Sequence, residues 1–186
     1  IYNYIHSKVI KSIGQGVLKE YIYGIHVDEE VNVVYVGEWN NGCVFIFYID
    51  DGRVINQIGS KGVQDGQLNR VTDVTLTSKG HLLALDSKRL QLFNKEGSFE
   101  KVLVKAGDED GKVRHPHGVV VDEDDNIIIS SKNKLQLFKS DGKFIKRIDK
   151  PEDSINNPHG LSIIPHHPRR LAVANGGDKT VKILNY

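Results

Sequence analysis

Two histidines occupy matching places in this chain, His117 in Pro116-His117-Gly118 and His159 in Pro158-His159-Gly160. A neutral imidazole carries one acceptor nitrogen, and two imidazoles brought together are candidate ligands for a transition metal, the chemistry of a metal-dependent lyase or hydrolase. A full ligand set needs a third group, and the matching places elsewhere hold Tyr23 and Thr72. His117 and His159 are therefore the only metal candidates. The better supported alternative is two hydrogen-bonding histidines duplicated with their repeat, and no cofactor is expected. Asp86 and Ser130 end equivalent strands, yet no His/Ser/Asp set recurs at a spacing that suggests nucleophilic catalysis. The chain is expected not to be an enzyme.

Recognition chemistry has stronger candidates. Trp39 is the only tryptophan, and it lies between Glu38 and Asn40-Asn41-Gly42, a loop composition. Aromatic anchors in loops are enriched at binding hot spots; the alternative is a Trp folded back over its own unit. Trp39 and Tyr23 offer stacking faces, and Arg70, Lys88, Arg89, Lys112, Arg114, Lys132 and Lys134 offer phosphate contacts, which makes RNA the second partner class. The same stretches also carry Asp86, Asp108-Glu109-Asp110 and Glu152-Asp153, and the net charge is only +1, so the basic balance that marks nucleic-acid binders is missing.

The elements that must position these residues are written as a repeat. Leu90-Gln91-Leu92-Phe93, followed by a polar turn and Gly97-Ser98-Phe99, recurs 45 residues later as Leu135-Gln136-Leu137-Phe138 with Gly142-Lys143-Phe144. Each copy alternates apolar and polar residues around a Gly-containing turn and predicts a β-hairpin with a buried face. Extended outward, the period divides the chain into units at 21–67, 68–112, 113–155 and 156–186, each with four short strands except the last, and 1–14 reads as the outer strand of the last or the preceding unit. Four strands per unit predict an all-β propeller of antiparallel blades, either a closed four-bladed ring or part of a six-bladed one. The 18 glycines suit many tight turns. A lone Cys43 in an apolar run, no glycosylation sequon, no signal peptide and no apolar run of membrane-spanning length point to a cytoplasmic protein away from membranes. The start at Ile1 suggests an excised domain.

Aligned in this way, the units resemble NHL repeats. The likeness rests on the interblade stretch 59–69, on Pro116-His117-Gly118-Val119-Val120-Val121-Asp122 with its turn Asp124-Asp125-Asn126, on Leu83-Ala84-Leu85-Asp86-Ser87, and on the Leu-Gln-Leu-Phe hairpins. The resemblance implies a propeller, usually six-bladed, that often serves as the C-terminal partner-recognition module of TRIM-NHL ubiquitin ligases and binds proteins or structured RNA. This chain departs from the pattern in holding about four units and in carrying Thr72-Asp73 where the family has Pro-x-Gly. Nothing in it resembles a RING finger, a B-box or a filamin-like domain, so ligase activity is not expected of this chain. The Pro-His-Gly segments also resemble those of the peptidyl amidating lyases, relatives whose channel histidines bind zinc; here that likeness reaches only His117 and His159.

Strand direction alternates within a blade, so one face collects Tyr23, Trp39, Asn40, Arg70, Thr72, Lys88, Arg89, Arg114, His115, His117, Lys132, Asn133, Lys134, His159 and Asn175. The opposite face carries the acidic turns Asp28-Glu29-Glu30, Asp50-Asp51 and 122–125, with Arg169-Arg170 as the exception. Rigid strands holding loops around a channel mouth make a natural binding surface. The expected function is a non-catalytic recognition platform for a protein or peptide, centred on Trp39, Arg114 and His117.

Overall fold

The computed structural model describes residues 9–165 and 168–186. Four antiparallel sheets, each wound in strict sequence order, form the four blades of a β-propeller. The first blade comprises β1 (Ile22–Asp28), β2 (Val33–Glu38), β3 (Cys43–Tyr48) and β4 (Val54–Ile58). The second holds β5 (Val71–Leu76), β6 (Leu82–Asp86), β7 (Leu90–Phe93) and β8 (Phe99–Val104). The third holds β9 (Pro116–Val121), β10 (Ile127–Ser131), β11 (Lys134–Phe138) and β12 (Phe144–Arg147). The fourth has three strands among the described residues, β13 (Pro158–Ile164), β14 (Arg170–Asn175) and β15 (Thr180–Asn185).

The middle strands β6, β7 and β10 are buried along their whole length. A strand covered on both faces reads as a continuous apolar run, which is what Leu82-Leu83-Ala84-Leu85 and Ile127-Ile128-Ile129 are. The covers are the neighbouring blades. Val33, Val44, Ile46 and Ile58 of the first blade pack with Val71, Val74, Leu82, Ala84 and Phe93 of the second. Leu83, Leu85, Leu90 and Leu92 pack with Val119, Ile127, Ile129 and Phe138 of the third, whose Ile128, Leu135 and Leu137 pack in turn with Leu171, Val173 and Leu184. Each junction is plugged by one buried linker residue: Leu68, Val113 and Ile155.

The repeated Leu-Gln-Leu-Phe has a division of labour. Its leucines face the next blade, while its Phe faces the preceding one. Gln91 is fully buried; its Oε1 accepts from Gly66 N at 3.0 Å and its Nε2 donates to Gln67 O at 2.7 Å. Gln136 repeats the pair with Gly111 N at 2.9 Å and Lys112 O at 2.8 Å. The amide thus latches the incoming linker to the third strand of the blade it precedes.

Two details of the expected layout are corrected. Ser131, which faces Pro116 as Asp86 faces Val71, is the equivalent of Asp86; Ser130 corresponds to Leu85. Residues 9–13 form no strand and do not supply a fourth strand to the last blade. Ile13 instead joins Val17 and Leu18 in covering Val34, Val36, Phe45 and Phe47 of the first blade, where apolar surface is on offer. The strand expected at residues 1–4 lies outside the described residues. Among the described residues no helix is long and apolar enough to cross a membrane.

Gln91→Ala leaves a linker N–H and a linker C=O without their partners. An expected loss of about 2 kcal/mol in urea-unfolding stability follows, and a loss under about 0.5 kcal/mol, the scale of an ordinary surface substitution, would show that the latch does not hold the linker.

Candidate functional site

The chain enters each blade through a non-glycine residue in the left-handed region: Tyr21 (φ 64°), Arg70 (φ 62°), His115 (φ 48°) and Asn157 (φ 47°). That conformation is strained for a side-chain-bearing residue, and at three of the four a hydrogen bond to its own carbonyl restrains it, while in the second blade Ser87 N donates to the carbonyl of the preceding Asn69 at 3.1 Å. Tyr21 O accepts from Trp39 N at 3.1 Å, His115 O from Lys132 N at 3.3 Å, and Asn157 O from Gly176 N at 3.2 Å. Two residues beyond each kink come Tyr23, Thr72, His117 and His159, and then Gly24, Asp73, Gly118 and Gly160.

Consecutive blade openings touch one another. A Cβ on Gly24 would lie 2.6 Å from Asp73 Cα, and one on Gly118 would lie 2.6 Å from His159 O. Glycine at these two places lets neighbouring inner strands approach at backbone distance. As a result Tyr23, Trp39, Thr72, Asp73, His117, His159 and Gly160 line one cleft of about 310 Å³, with every blade contributing.

One wall is aromatic. The Trp39 ring sits 5.1 Å from that of Tyr23, tilted by 48°, and the Arg70 guanidinium lies 5.6 Å from the Trp39 ring centre, within cation–π range. Trp39 therefore packs on Tyr23 of its own blade and at the same time meets Arg70 at the entry to the second. The other wall is the imidazole pair, stacked at 4.1 Å with 16° between planes. The Asn157 amide Nδ2 donates to His159 Nε2 at 3.1 Å, which puts the proton of the neutral ring on Nδ1. Stacked rings hold their nitrogen lone pairs in parallel planes that do not converge on one ion, and no cluster of three or more His, Cys, Asp or Glu among the described residues is arranged to hold a metal. Burial pushes the His117 pKa down, with the neighbouring His159 and His115 adding to the effect.

Asp73 is the site residue that sequence reasoning missed, although the break it makes in the Pro-x-Gly pattern was visible. Standing where three blades carry glycine, it uses its side chain to span the junction. Its Oδ2 accepts from Val119 N of the third blade at 2.9 Å and its Oδ1 from Val74 N at 2.9 Å. Burial pushes its pKa up to about 6, against the pull of those two N–H groups. Beside it, Thr72 Oγ1 donates to Leu85 O at 3.2 Å, which turns the hydroxyl into the blade.

The remaining expected residues lie elsewhere. Lys88 and Arg89 line a separate cleft of about 300 Å³ with Asp65 and Asp86. There the Arg89 guanidinium is engaged by Asp65 at 3.1 Å, Asp86 at 3.4 Å and the carbonyls of Gln64 and Gln67. Arg114 and Lys132 both pair with Asp108, Lys134 with Asp110 at 3.0 Å and Lys112 with Glu109. Those contacts hold the Asp108 carboxyl below the usual carboxylate range. The row of cations expected to meet phosphates is thus largely neutralised by the chain's own acids. Asn40 does not line the mouth cleft.

No protein-family model and no curated protein sequence matches the chain. Solved structures do match in fold. Virginiamycin B lyase from Staphylococcus aureus aligns with a TM-score of 0.63 at 13% identity over 89% of this chain and 55% of its own. A nidogen/laminin complex gives 0.66 at 18% identity over 89% and 65%, and a candidate gluconolactonase gives 0.67 at 14% over 88% and 58%. The chain therefore spans between about half and two thirds of the structures it resembles. These likenesses establish the propeller. They also correct the expectation that the chain is not an enzyme: lyases share this fold, so the architecture gives no ground for setting catalysis aside.

The two titrating groups of the cleft act in opposite senses on stability. His117, with its folded pKa lowered, costs stability as the pH falls below about 6.5. Asp73, with its folded pKa raised to about 6, binds a proton more tightly when folded, so its unfavourable contribution grows as the pH rises from about 4 to about 6. Asp73→Asn keeps one acceptor oxygen for Val119 N, gives up the one that meets Val74 N, and should flatten that rise, removing up to about 3 kcal/mol of the pH dependence whatever its effect on stability at a single pH. Unfolding curves measured from pH 4 to pH 7 check this; parallel curves for parent and variant contradict it.

Proposed function

We propose that the chain is a recognition platform that takes a segment of a protein or peptide into the mouth cleft between the Tyr23/Trp39 wall and the His117/His159 wall. The observation that carries this reading is the convergence of a side chain from every blade, together with the only tryptophan, on one concave surface. Tyr and Trp supply broad contact area at a low cost in side-chain entropy, and Arg70 and the imidazoles supply polar recognition at its edge. An apolar or aromatic side chain of the partner fits between the two ring-bearing walls, with its backbone or a neighbouring acceptor meeting Arg70.

A protein partner is favoured over RNA by the ion pairs that occupy Arg89, Arg114, Lys132 and Lys134. A propeller found in a nidogen/laminin complex gives the general precedent. The finer reading, an NHL-type domain like the substrate-recognition module of a TRIM-NHL ligase, is supported by the Leu-Gln-Leu-Phe hairpins and the 59–69 linker. The buried thiol of Cys43 suits a reducing, cytoplasmic setting.

A displayed random-peptide library selected on the parent protein supplies the probe. The selected peptides are expected to quench or shift the Trp39 fluorescence and to lose roughly 30-fold in affinity, about 2 kcal/mol, on Trp39→Ala, with a similar loss on His159→Ala. Peptides that bind both variants as well as the parent would place recognition away from the mouth.

A further inference from the structure

The linkers into the second and third blades follow one path. Leu68 N donates to Ser60 O at 2.8 Å and Val113 N to Lys105 O at 3.0 Å, while Gly62 N and Gly107 N donate back to Leu68 O and Val113 O at 3.1 and 3.0 Å. This correspondence sets Val63 against Asp108, Asn69 against Arg114 and Ser87 against Lys132. In the third blade those three side chains are ion-paired, with Asp108 drawing in both Arg114 and Lys132. The space left among them is only about 10 Å³. In the second blade a valine, an asparagine and a serine cannot make those pairs. The cleft of about 300 Å³ beside Arg89 opens at the equivalent place and runs on to Val102, Lys105 and Ala106 at the start of the next linker. Its walls come from the second blade and the linkers on either side of it, all within the described residues.

We propose that this cleft is a second recognition site, which takes an acidic peptide segment with an aliphatic side chain beside its carboxylates. The aliphatic group meets Val63, Val102 and Ala106, and the carboxylates meet the ammonium groups of Lys88 and Lys105. Charge complementarity selects this occupant. The two aspartates of the cleft, Asp65 and Asp86, are both turned to Arg89, and Asp86 is 1% exposed. Lys88 and Lys105 are exposed and take part in no ion pair among the described residues, while the nearby Asp108 and Glu109 are held by Arg114, Lys132 and Lys112. The charge presented to a ligand is therefore positive. A phosphate backbone would gain nothing from the apolar floor. An enclosed small molecule is disfavoured too, because such sites bury most of their ligand and Val63 on the rim is 68% exposed. An extended segment needs to lower only one or two side chains into the cleft. The inference stands apart from what the mouth cleft binds.

Titration of the nitrogen-15-labelled protein with the acetylated, amidated tetrapeptide Asp-Leu-Glu-Leu, followed by amide NMR shifts, tests it. Saturable shifts are expected at Val63, Lys88 and Ala106, with Trp39 and His117 unmoved and a dissociation constant on the order of 1 mM. Lys105→Glu and Val63→Asp, both at exposed positions, are expected to weaken binding roughly 5-fold, the scale of one exposed ion pair. Val63→Asp does so by restoring the acid of the third blade beside the two lysines. Should either variant lose its fold, Lys88→Glu removes a cation from the same rim. The proposal is overturned by the absence of saturable shifts at the cleft up to about 20 mM peptide, or by affinities that the variants leave unchanged. Equal binding of Asp-Gly-Glu-Gly, which lacks the aliphatic groups, overturns it as well. So do the same shifts produced at lower concentration by a uridine tetranucleotide, which would make the site one for RNA.

Discussion

A propeller blade is a sheet with two apolar faces, and neither face is stable in water unless something covers it. Everything else in this molecule follows from that requirement. Burial of the middle strands from both sides makes them continuous apolar runs, and it obliges each blade to lie on its predecessor. At about 25 cal/mol per Å² of apolar surface removed from water, these junctions are the main stabilising contacts of the fold. The polar contacts add registry: a buried glutamine fixes the linker at two junctions, and Leu68, Val113 and Ile155 fill the gap that each linker crosses.

Stacking at that distance also creates the cleft. Neighbouring inner strands approach so closely at their openings that Gly24 and Gly118 have no room for a side chain, which leaves the preceding residues, Tyr23 and His117, to project into the mouth. Where the second blade carries Asp73 instead, the extra carboxyl is accommodated by reaching forward to Val119 N, and the burial that results raises its pKa. The strained left-handed residues just upstream cost stability locally, and hydrogen bonds to the carbonyls of Tyr21, His115 and Asn157, and to that of Asn69 beside Arg70, restrain the chain there. The mouth is thus a by-product of packing that has been furnished with aromatic rings, imidazoles and one guanidinium.

Much of this was legible in the residues. The Leu-Gln-Leu-Phe hairpins, the Pro-His-Gly openings and the Gly-bearing linkers repeat with a spacing that specifies strands, blades and the equivalence of Tyr23, Thr72, His117 and His159. Convergence of those four, and the approach of Trp39, follow from strand alternation. Contacts between residues far apart in sequence were less legible. That Asp108 draws in both Arg114 and Lys132 depends on the path of a loop, so a list of basic residues overstated the available positive charge. The reach of Asp73 across a junction and the face-to-face stacking of two imidazoles depend on interblade distance, which a repeat period does not encode. Ile13, expected within an outer strand, packs instead with Val17 and Leu18 on the first blade, a contact that the repeat period does not encode.

The central claim is that successive blades hold their openings in contact and so build one cleft from separate repeats. The histidines of the third and fourth blades report on this directly. Proton NMR of the imidazole resonances is predicted to show a cross-ring nuclear Overhauser effect between His117 and His159, and a His117 pKa below the usual 6.5 that moves upward in His159→Asn. Rings that show no such effect, with His117 titrating at its ordinary value whether or not His159 is present, would contradict the account.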